Sequence, residues 1–377
     1  MASAAIIGAG TFGSSLAWWL ARTGWDVTLV DQFEPGDTRA TSGGETRLIR
    51  CGHGEDALYP ASAWRARSLW RELEAESREE LLVECGLAWF AHREDGWEGA
   101  SARVLGETGI PCERLDAREG ARLFPSLRTD DLAFVLFEPH AGVLRAQRAV
   151  QALAAAAADH GARLVRGRAR PDGARAVLED GTVIEADRVV WACGGWLRDL
   201  FAELVELRVT RQELYFFDGG PEWRAAPGWV DFDRALYGTG DVDDLGVKAA
   251  HDPDGPPLDP DAPLPPTDPE NERLVREMAA WRFPALEGAP LKGSKTCRYE
   301  LSADGHFVVG EHPEHAGVWL VGGGSGHGFK HGPALAERIA AAWAGERPLP
   351  PEWAPVHRSA GRALRTAGAG PAHTAPR

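Results

Sequence analysis

Gly8, Gly10 and Gly13 stand in the run Gly8-Ala9-Gly10-Thr11-Phe12-Gly13, directly after the apolar residues 4–7, and that pattern suits the holding of a pyrophosphate. The first glycine permits a tight turn, the second lets phosphate oxygens reach backbone N–H groups, and the third lets helix pack on strand. The helix that follows turns the positive end of its dipole toward the phosphate. Asp31 closes the next apolar stretch, where a carboxylate accepts hydrogen bonds from ribose hydroxyls. An acid there disfavours a 2′-phosphate, so FAD or NAD fits better than NADP. A second glycine cluster, residues 322–328, again lies between strand-like and helix-like stretches. Its backbone N–H groups suit the polar edge of an isoalloxazine ring, and a helix dipole aimed there favours negative charge on it. Convergence of both ends of the chain on one ligand points to FAD.

Other reactive side chains are ambiguous by themselves. Five cysteines (Cys51, Cys85, Cys112, Cys193 and Cys297) are scattered, with no C-x-x-C pair, so neither a disulfide framework nor a metal site is expected. A lone cysteine is ordinarily an inert buried hydrophobe, although Lys295 and Arg298 beside Cys297 would lower its pKa. Arg47 and Arg50, three residues apart, read equally as one exposed helix face. Lys248 reads as a solvated lysine at a strand end.

The elements that would position these groups follow from pattern. With 377 residues, 44% apolar and 26% charged, the chain is long enough for two domains around ordinary globular cores. Strand, turn, helix and strand succeed one another over residues 4–31. Residues 146–160 form an alanine-rich helix, residues 162–165 a strand, and Glu179-Asp180-Gly181 a hairpin turn before a further strand at 187–192. Between Asp252 and Glu270, eight prolines and six acids predict an extended, solvated loop. Thr267-Asp268-Pro269-Glu270 reads as a capping box opening a helix over 270–281. A strand at 317–321 and a helix over 333–343 close the fold. Forty-one Lys and Arg against 56 Asp and Glu give a net charge of −15, which argues against nucleic-acid partners. No stretch is apolar enough to span a membrane, and a cytoplasmic location is expected.

Taken together, several segments resemble the FAD-dependent amine oxidases of the D-amino-acid oxidase superfamily, in particular the monomeric sarcosine oxidase, N-methyltryptophan oxidase and pipecolate oxidase branch. They are residues 42–50 (Ser-Gly-Gly-Glu-Thr-Arg-Leu-Ile-Arg), 139–144 (Pro-His-Ala-Gly-Val-Leu), 186–196, 295–299 (Lys-Thr-Cys-Arg-Tyr), 304–307 and 325–330 (Ser-Gly-His-Gly-Phe-Lys). The resemblance runs to about residue 347. It implies an α/β fold, with a Rossmann-type FAD-binding domain and a second, smaller α+β substrate domain built on an antiparallel sheet. The expected FAD domain is discontinuous (1–85, 140–210 and 290–350), the substrate domain spans 86–139 and 211–289, and 351–377 is expected to be a disordered tail.

The resemblance also implies roles. Cys297 would join FAD covalently. Gly8, Gly10, Thr11, Phe12, Gly13, Asp31, Ser42, Thr46, Arg47, Gly194, Trp196, Gly324, Gly326, His327, Gly328, Phe329 and Lys330 would contact the cofactor. Arg50 and Lys330 would hold a substrate carboxylate, a planar fork and a point charge together. Lys248 would favour reaction with O₂ and Arg47 would lend positive charge. Tyr237 falls at an active-site tyrosine, and His251 stands one residue before the active-site histidine position. Gly43 replaces a histidine of the sarcosine enzymes, which is expected to open space for a bulkier substrate. The implied activity is oxidation of a secondary amine bearing a carboxylate, an N-substituted or cyclic amino acid, to an imine by a monomer that reduces O₂ to H₂O₂. Oxidative cleavage of an N-carboxymethyl amine to glyoxylate is the alternative, and a non-catalytic flavoprotein the alternative of another class.

Overall fold

The computed structural model describes residues 1–358, built around two large sheets. The first has six strands in the order Val308–Glu311, Val318–Gly322, Arg188–Trp191, Ser3–Ile7, Asp26–Asp31 and Arg163–Arg166. Its pairs are parallel except for the Val308–Glu311/Val318–Gly322 hairpin. Ala4, Ala5, Ile6 and Ile7 are all buried, as expected for a central parallel strand covered on both faces. Helices Thr11–Arg22, Ala146–Asp159 and Gly332–Trp343 pack together against this sheet, with Leu16, Trp18, Leu153 and Leu335 in one core. The first helix starts four residues after the strand because Gly8 adopts φ +109 and turns the chain.

The second sheet has eight strands, in the order Leu291–Ser302, Leu207–Phe217, Val247–His251, Leu236–Asp241, Gly228–Asp231, Leu87–Ala91, Phe134–Glu138 and Glu113–Leu115. It is antiparallel apart from the Gly228–Asp231/Leu87–Ala91 pair, which is parallel. Helix Pro269–Arg282 covers one face through Val275, Met278 and Ala279. Its cap is Asp268, whose carboxylate accepts from the Glu270 N–H, whereas Thr267 pairs with Ser294; the expected capping box is therefore a single aspartate cap. At the other end Arg282, fully buried, donates to Asp231 at 2.7 Å and to both carboxylate oxygens of Asp131 at 2.8 and 2.9 Å. That bond set fastens the helix to the sheet, and losing one partner would strand a buried charge.

Residues 252–268 are extended, as expected, but pinned rather than loosely solvated. Arg211 N donates to Pro256 O and Leu258 N to Val209 O, so the segment runs along the edge of Leu207–Phe217 that the shorter Val247–His251 strand leaves open. The carbonyls of Pro260 and Ala262 accept from Arg298, and Asp261 accepts from Trp196 at 2.7 Å. Near the C-terminus, Pro351–Trp353 form a short turn with Trp353 buried against Tyr59 and Phe307. Residues 351–358, expected in the tail, are thus packed, with Arg358 bonded to His306 O, and the rest of that stretch, 359–377, lies outside the described residues. Among the described residues no helix is long and apolar enough to cross a membrane.

Candidate active site

Two cavities meet above the carboxyl ends of the parallel strands, where ligands bind in open α/β sheets. The larger one is walled by the first glycine turn, the 322–328 loop and residues 40–42 and 192–196. Gly8 and Gly13 explain how the turn is built. A Cβ on Gly13 would stand 1.8 Å from Gly8 O, and one on Gly8 would stand 2.3 Å from Ala192 O. Gly13 is thus a packing residue that does not line the cavity, as the third glycine of such a turn should be. Gly10, Thr11, Phe12 and Ser42 line it, and the Ser42 hydroxyl accepts from Thr11 N at 2.9 Å.

Asp31 lies in the same wall, with its carboxylate accepting from Ala9 N at 2.5 Å and Phe33 N at 2.7 Å. Burial pushes its carboxyl pKa up, while the two N–H groups hold it down. Gly194, Trp196, Gly324, Gly326, Gly328 and Phe329 also line it, whereas His327 and Lys330, expected at the cofactor, line only the second cavity. Gly328 leaves no room for a side chain, since its Cβ would meet Gly324 Cα at 2.7 Å. Sequence reasoning missed Glu300 in this wall; it accepts from Gly324 N at 3.1 Å, and burial raises its pKa to about 7.

The second cavity shares Arg47, Tyr299, Gly326 and Phe329 with the first. Arg47 is set there by three carbonyls, those of Thr46 (2.9 Å), Thr41 (3.1 Å) and Gly43 (2.6 Å), and lies over the Phe329 ring. Arg50 and Lys330 both line this cavity. The Arg50 guanidinium donates to Gly52 O at 2.5 Å and lies 4.8 Å above the Trp89 ring. Burial draws its pKa down to about 10, against a partial opposing pull from Glu138, so it keeps its charge at neutral pH. Glu138 itself accepts from Cys51 N, Gly52 N and Trp89 Nε1, and so holds both the turn after Arg50 and the indole beneath it. Lys330 Nζ donates to His327 O at 2.9 Å; burial, then Arg50, pushes its pKa well below the usual lysine range.

Opposite stand Lys248, Tyr237, Tyr299 and Asp252. Lys248 Nζ lies 3.3 Å from both Thr46 O and Thr46 Oγ1 and 5.5 Å from the centre of the Tyr237 ring. Burial, with Arg47 nearby, lowers its pKa to about 7. Thr46 lines neither cavity and reaches the site through its bonds from Lys248 and Arg47. His251 is not in the wall either. On a strand, alternate residues face opposite ways, so Lys248, Ala250 and Asp252 share a face that His251 does not. The residue after the expected histidine is the one that reaches the cavity. Apolar wall comes from Leu48, Val230, Trp89, Trp97 and Phe232, with Trp97 and Phe232 stacked at 4.5 Å. Gly43 contributes nothing to this space: a side chain there would strike Asp37 O and Thr38 Cα, so its lack of an imidazole does not widen the cavity.

Cys297 lies beneath the junction, packed with Leu214, Phe216, Ala250 and Tyr237 and lining neither cavity. Burial pushes its thiol pKa up, while Arg47, Lys248 and Arg298 pull it down. Lys295, expected to help, is paired with Glu45 instead.

His53, His327 and His331 form a buried cluster whose ligand atoms lie within 4.8 Å of one another. Their outer nitrogens meet Cys51 O, Gly305 O and Ser62 Oγ. Burial and the adjacent Lys330 and Arg50 lower all three imidazole pKa values well below the usual range. Two cations beside the cluster make it an electropositive wall, unsuited to a metal dication.

A parallel sheet with a glycine-turn cradle, joined to a second chamber with cationic groups in its wall, defines a dinucleotide-dependent enzyme. The chain belongs to the family described as DAO, FAD dependent oxidoreductase, whose model matches residues 3–360. It is 28% identical over 350 residues to a monomeric sarcosine oxidase of Bacillus sp. (strain B-0618), covering 88% of this chain and 89% of that protein. It is 27% identical over 357 residues to an N-methyl-L-tryptophan oxidase of Yersinia pestis (strain Pestoides F), covering 92% and 95%. The fold matches that of an L-proline dehydrogenase from P. horikoshii with a TM-score of 0.81 at 21% identity, over 94% of this chain and 96% of that one. The larger cavity fits FAD on its own terms: glycines let the turn and the 322–328 loop pack closely around it, and Asp31 lines it beside the turn.

Proposed function

We propose that this enzyme oxidises a secondary amine bearing a carboxylate, an N-substituted or cyclic amino acid, to its imine, with O₂ as terminal acceptor and H₂O₂ as the second product. The observation that carries this reading is the pairing of Arg50 and Lys330 in a cavity that shares a wall with the cofactor-sized one. FAD, when bound, supplies the two-electron oxidant for a C–H bond next to nitrogen. The protein supplies placement: Arg50 and Lys330 take the carboxylate, and the stacked Trp97 and Phe232 receive the apolar part of a bulky substrate. Arg47 and Lys248 add positive charge at the junction. The chain divides between a FAD domain on the six-stranded sheet and a substrate domain on the eight-stranded one. Covalent attachment through Cys297 belongs to the same reading: burial raises its thiol pKa on balance, and Arg47, Lys248 and Arg298 offset part of that rise.

Two measurements test it. Anaerobic mixing with sarcosine, N-methyl-L-tryptophan, L-proline and iminodiacetate should bleach the yellow protein with at least one of them, and air should then yield H₂O₂; colour untouched by all four refutes the reading. Acid precipitation should leave the colour in the pellet, and Cys297→Ala should release it to the supernatant. Colour released from the wild type refutes the covalent link alone.

A further inference from the structure

We propose that Asp252 takes the proton from the substrate's ammonium nitrogen and is thus a further catalytic residue of this site, an inference that rests on the function proposed above. An amino acid arrives at neutral pH as an ammonium ion, and a hydride leaves the adjacent carbon only when nitrogen has its lone pair. Something in the cavity wall must accept that proton.

The titratable groups of the wall are Arg47, Arg50, Lys248, Lys330, His53, His327, Tyr237, Tyr299 and Asp252. The arginines arrive charged. His53 and His327 lie against Lys330 and Arg50, which oppose a further positive charge on either imidazole. Tyr299 is half-buried, with desolvation pushing its pKa well above the usual phenol range, and its hydroxyl is 3.2 Å from that of Tyr237. Lys248 is turned to Thr46. Asp252 is the single carboxylate of the wall.

Its position fits the task. Asp252 follows the Val247–His251 strand on the face of Lys248, and its N–H is fixed by Ala235 O at 2.7 Å. The Tyr299 hydroxyl donates to Asp252 Oδ1 at 3.2 Å, and Tyr299 lines both cavities, so this bond ties the carboxylate to their junction. The cavity then complements both charges of a zwitterion, with carboxylate at Arg50 and Lys330 and ammonium at Asp252. In the step, the N–H bond breaks with its electron pair left on nitrogen, and an O–H bond forms on Asp252. The two electrons of oxidation leave afterwards with the hydride from carbon. The half-buried Asp252 begins the 252–268 segment and returns its proton to solvent there.

Asp252→Asn keeps an acceptor for Tyr299 and removes the base. Anaerobic flavin reduction is followed from about pH 6 to about pH 10 with the four amines named above. The variant should react about 10²–10³-fold more slowly than wild type near pH 7, with a rate that climbs about tenfold per pH unit as free amine becomes available. Affinity for 2-furoate, a carboxylate without an amine, read from the flavin spectrum, should stay within about two-fold, because that probe has no proton to give. Superimposable pH profiles overturn the proposal, as does a loss of 2-furoate binding that accounts for the whole rate defect. Failure of all four amines to reduce the wild type overturns the proposed function, and this role with it.

Discussion

Lys248→Met should slow the return of electrons to O₂ by about 10²–10³-fold while anaerobic reduction by the amine stays within about two-fold of wild type. The charge that develops as oxygen is reduced is negative, and the Lys248 ammonium is a fixed donor held against Thr46 at 3.3 Å, so it need not reorganise to meet it. Methionine has nearly the same length and is apolar. Burying it instead of an ammonium among Arg47, Tyr237 and Ala250 costs no folding stability of the kind a stranded charge would. The sign of the pH effect follows from burial. With its pKa lowered to about 7, Lys248 is charged below that value and loses its proton as pH rises through it. Wild-type reoxidation should therefore decline above neutral pH, and the methionine variant should lose that dependence. Stopped-flow mixing of the photoreduced enzyme with oxygenated buffer measures both. Equal slowing of the two half-reactions would refute the assignment.

The cradle was legible because its chemistry is local: three glycines, one helix start and one acid lie within a single strand-turn-helix-strand unit, and each constrains the backbone of the next. The chamber was only partly legible. Its apolar wall takes Trp89, Trp97, Val230 and Phe232 from separate segments, and no spacing in the chain announces that they meet. Where sequence reasoning went astray, the reason is direction rather than composition. Gly43 was expected to open space, yet its missing side chain would point into the backbone of Asp37 and Thr38. His251 was expected in the site, yet the two-residue period of a strand gives that face to Lys248 and Asp252, a step the sequence already allowed. Lys295 and Arg298 were both expected to activate Cys297. Lys295 is consumed by Glu45, Arg298 does pull the thiol pKa down, and Arg47 and Lys248 arrive from other strands to do more. The pinning of 252–268 rests on backbone bonds to Arg211 and Val209, which proline content conceals.

On the proposed function, the second large effect falls on the carboxylate anchor. Arg50→Met should lower kcat/KM for an amino-acid substrate about 10²–10³-fold, equivalent to about 3–4 kcal/mol, nearly all of it in KM. Arg50 is the charge to remove because it and Lys330 are not equivalent. Burial lowers both pKa values, but Arg50 remains charged at about 10, while Lys330 is pushed further down by Arg50 itself. Without the guanidinium, Lys330 still lines the cavity and keeps part of the attraction, which is why the loss stays short of that for two charges. Glu138 and Trp89 keep the turn and the ring in place, so the cavity shape should survive. The check is a comparison of each amino acid with its methyl ester. Wild type should discriminate strongly in favour of the acid, and the variant should treat the two within about five-fold, with 2-furoate affinity falling in parallel. If the acid and its ester lose the same factor, Arg50 shapes the cavity without reading the carboxylate, and the substrate need not be an acid at all.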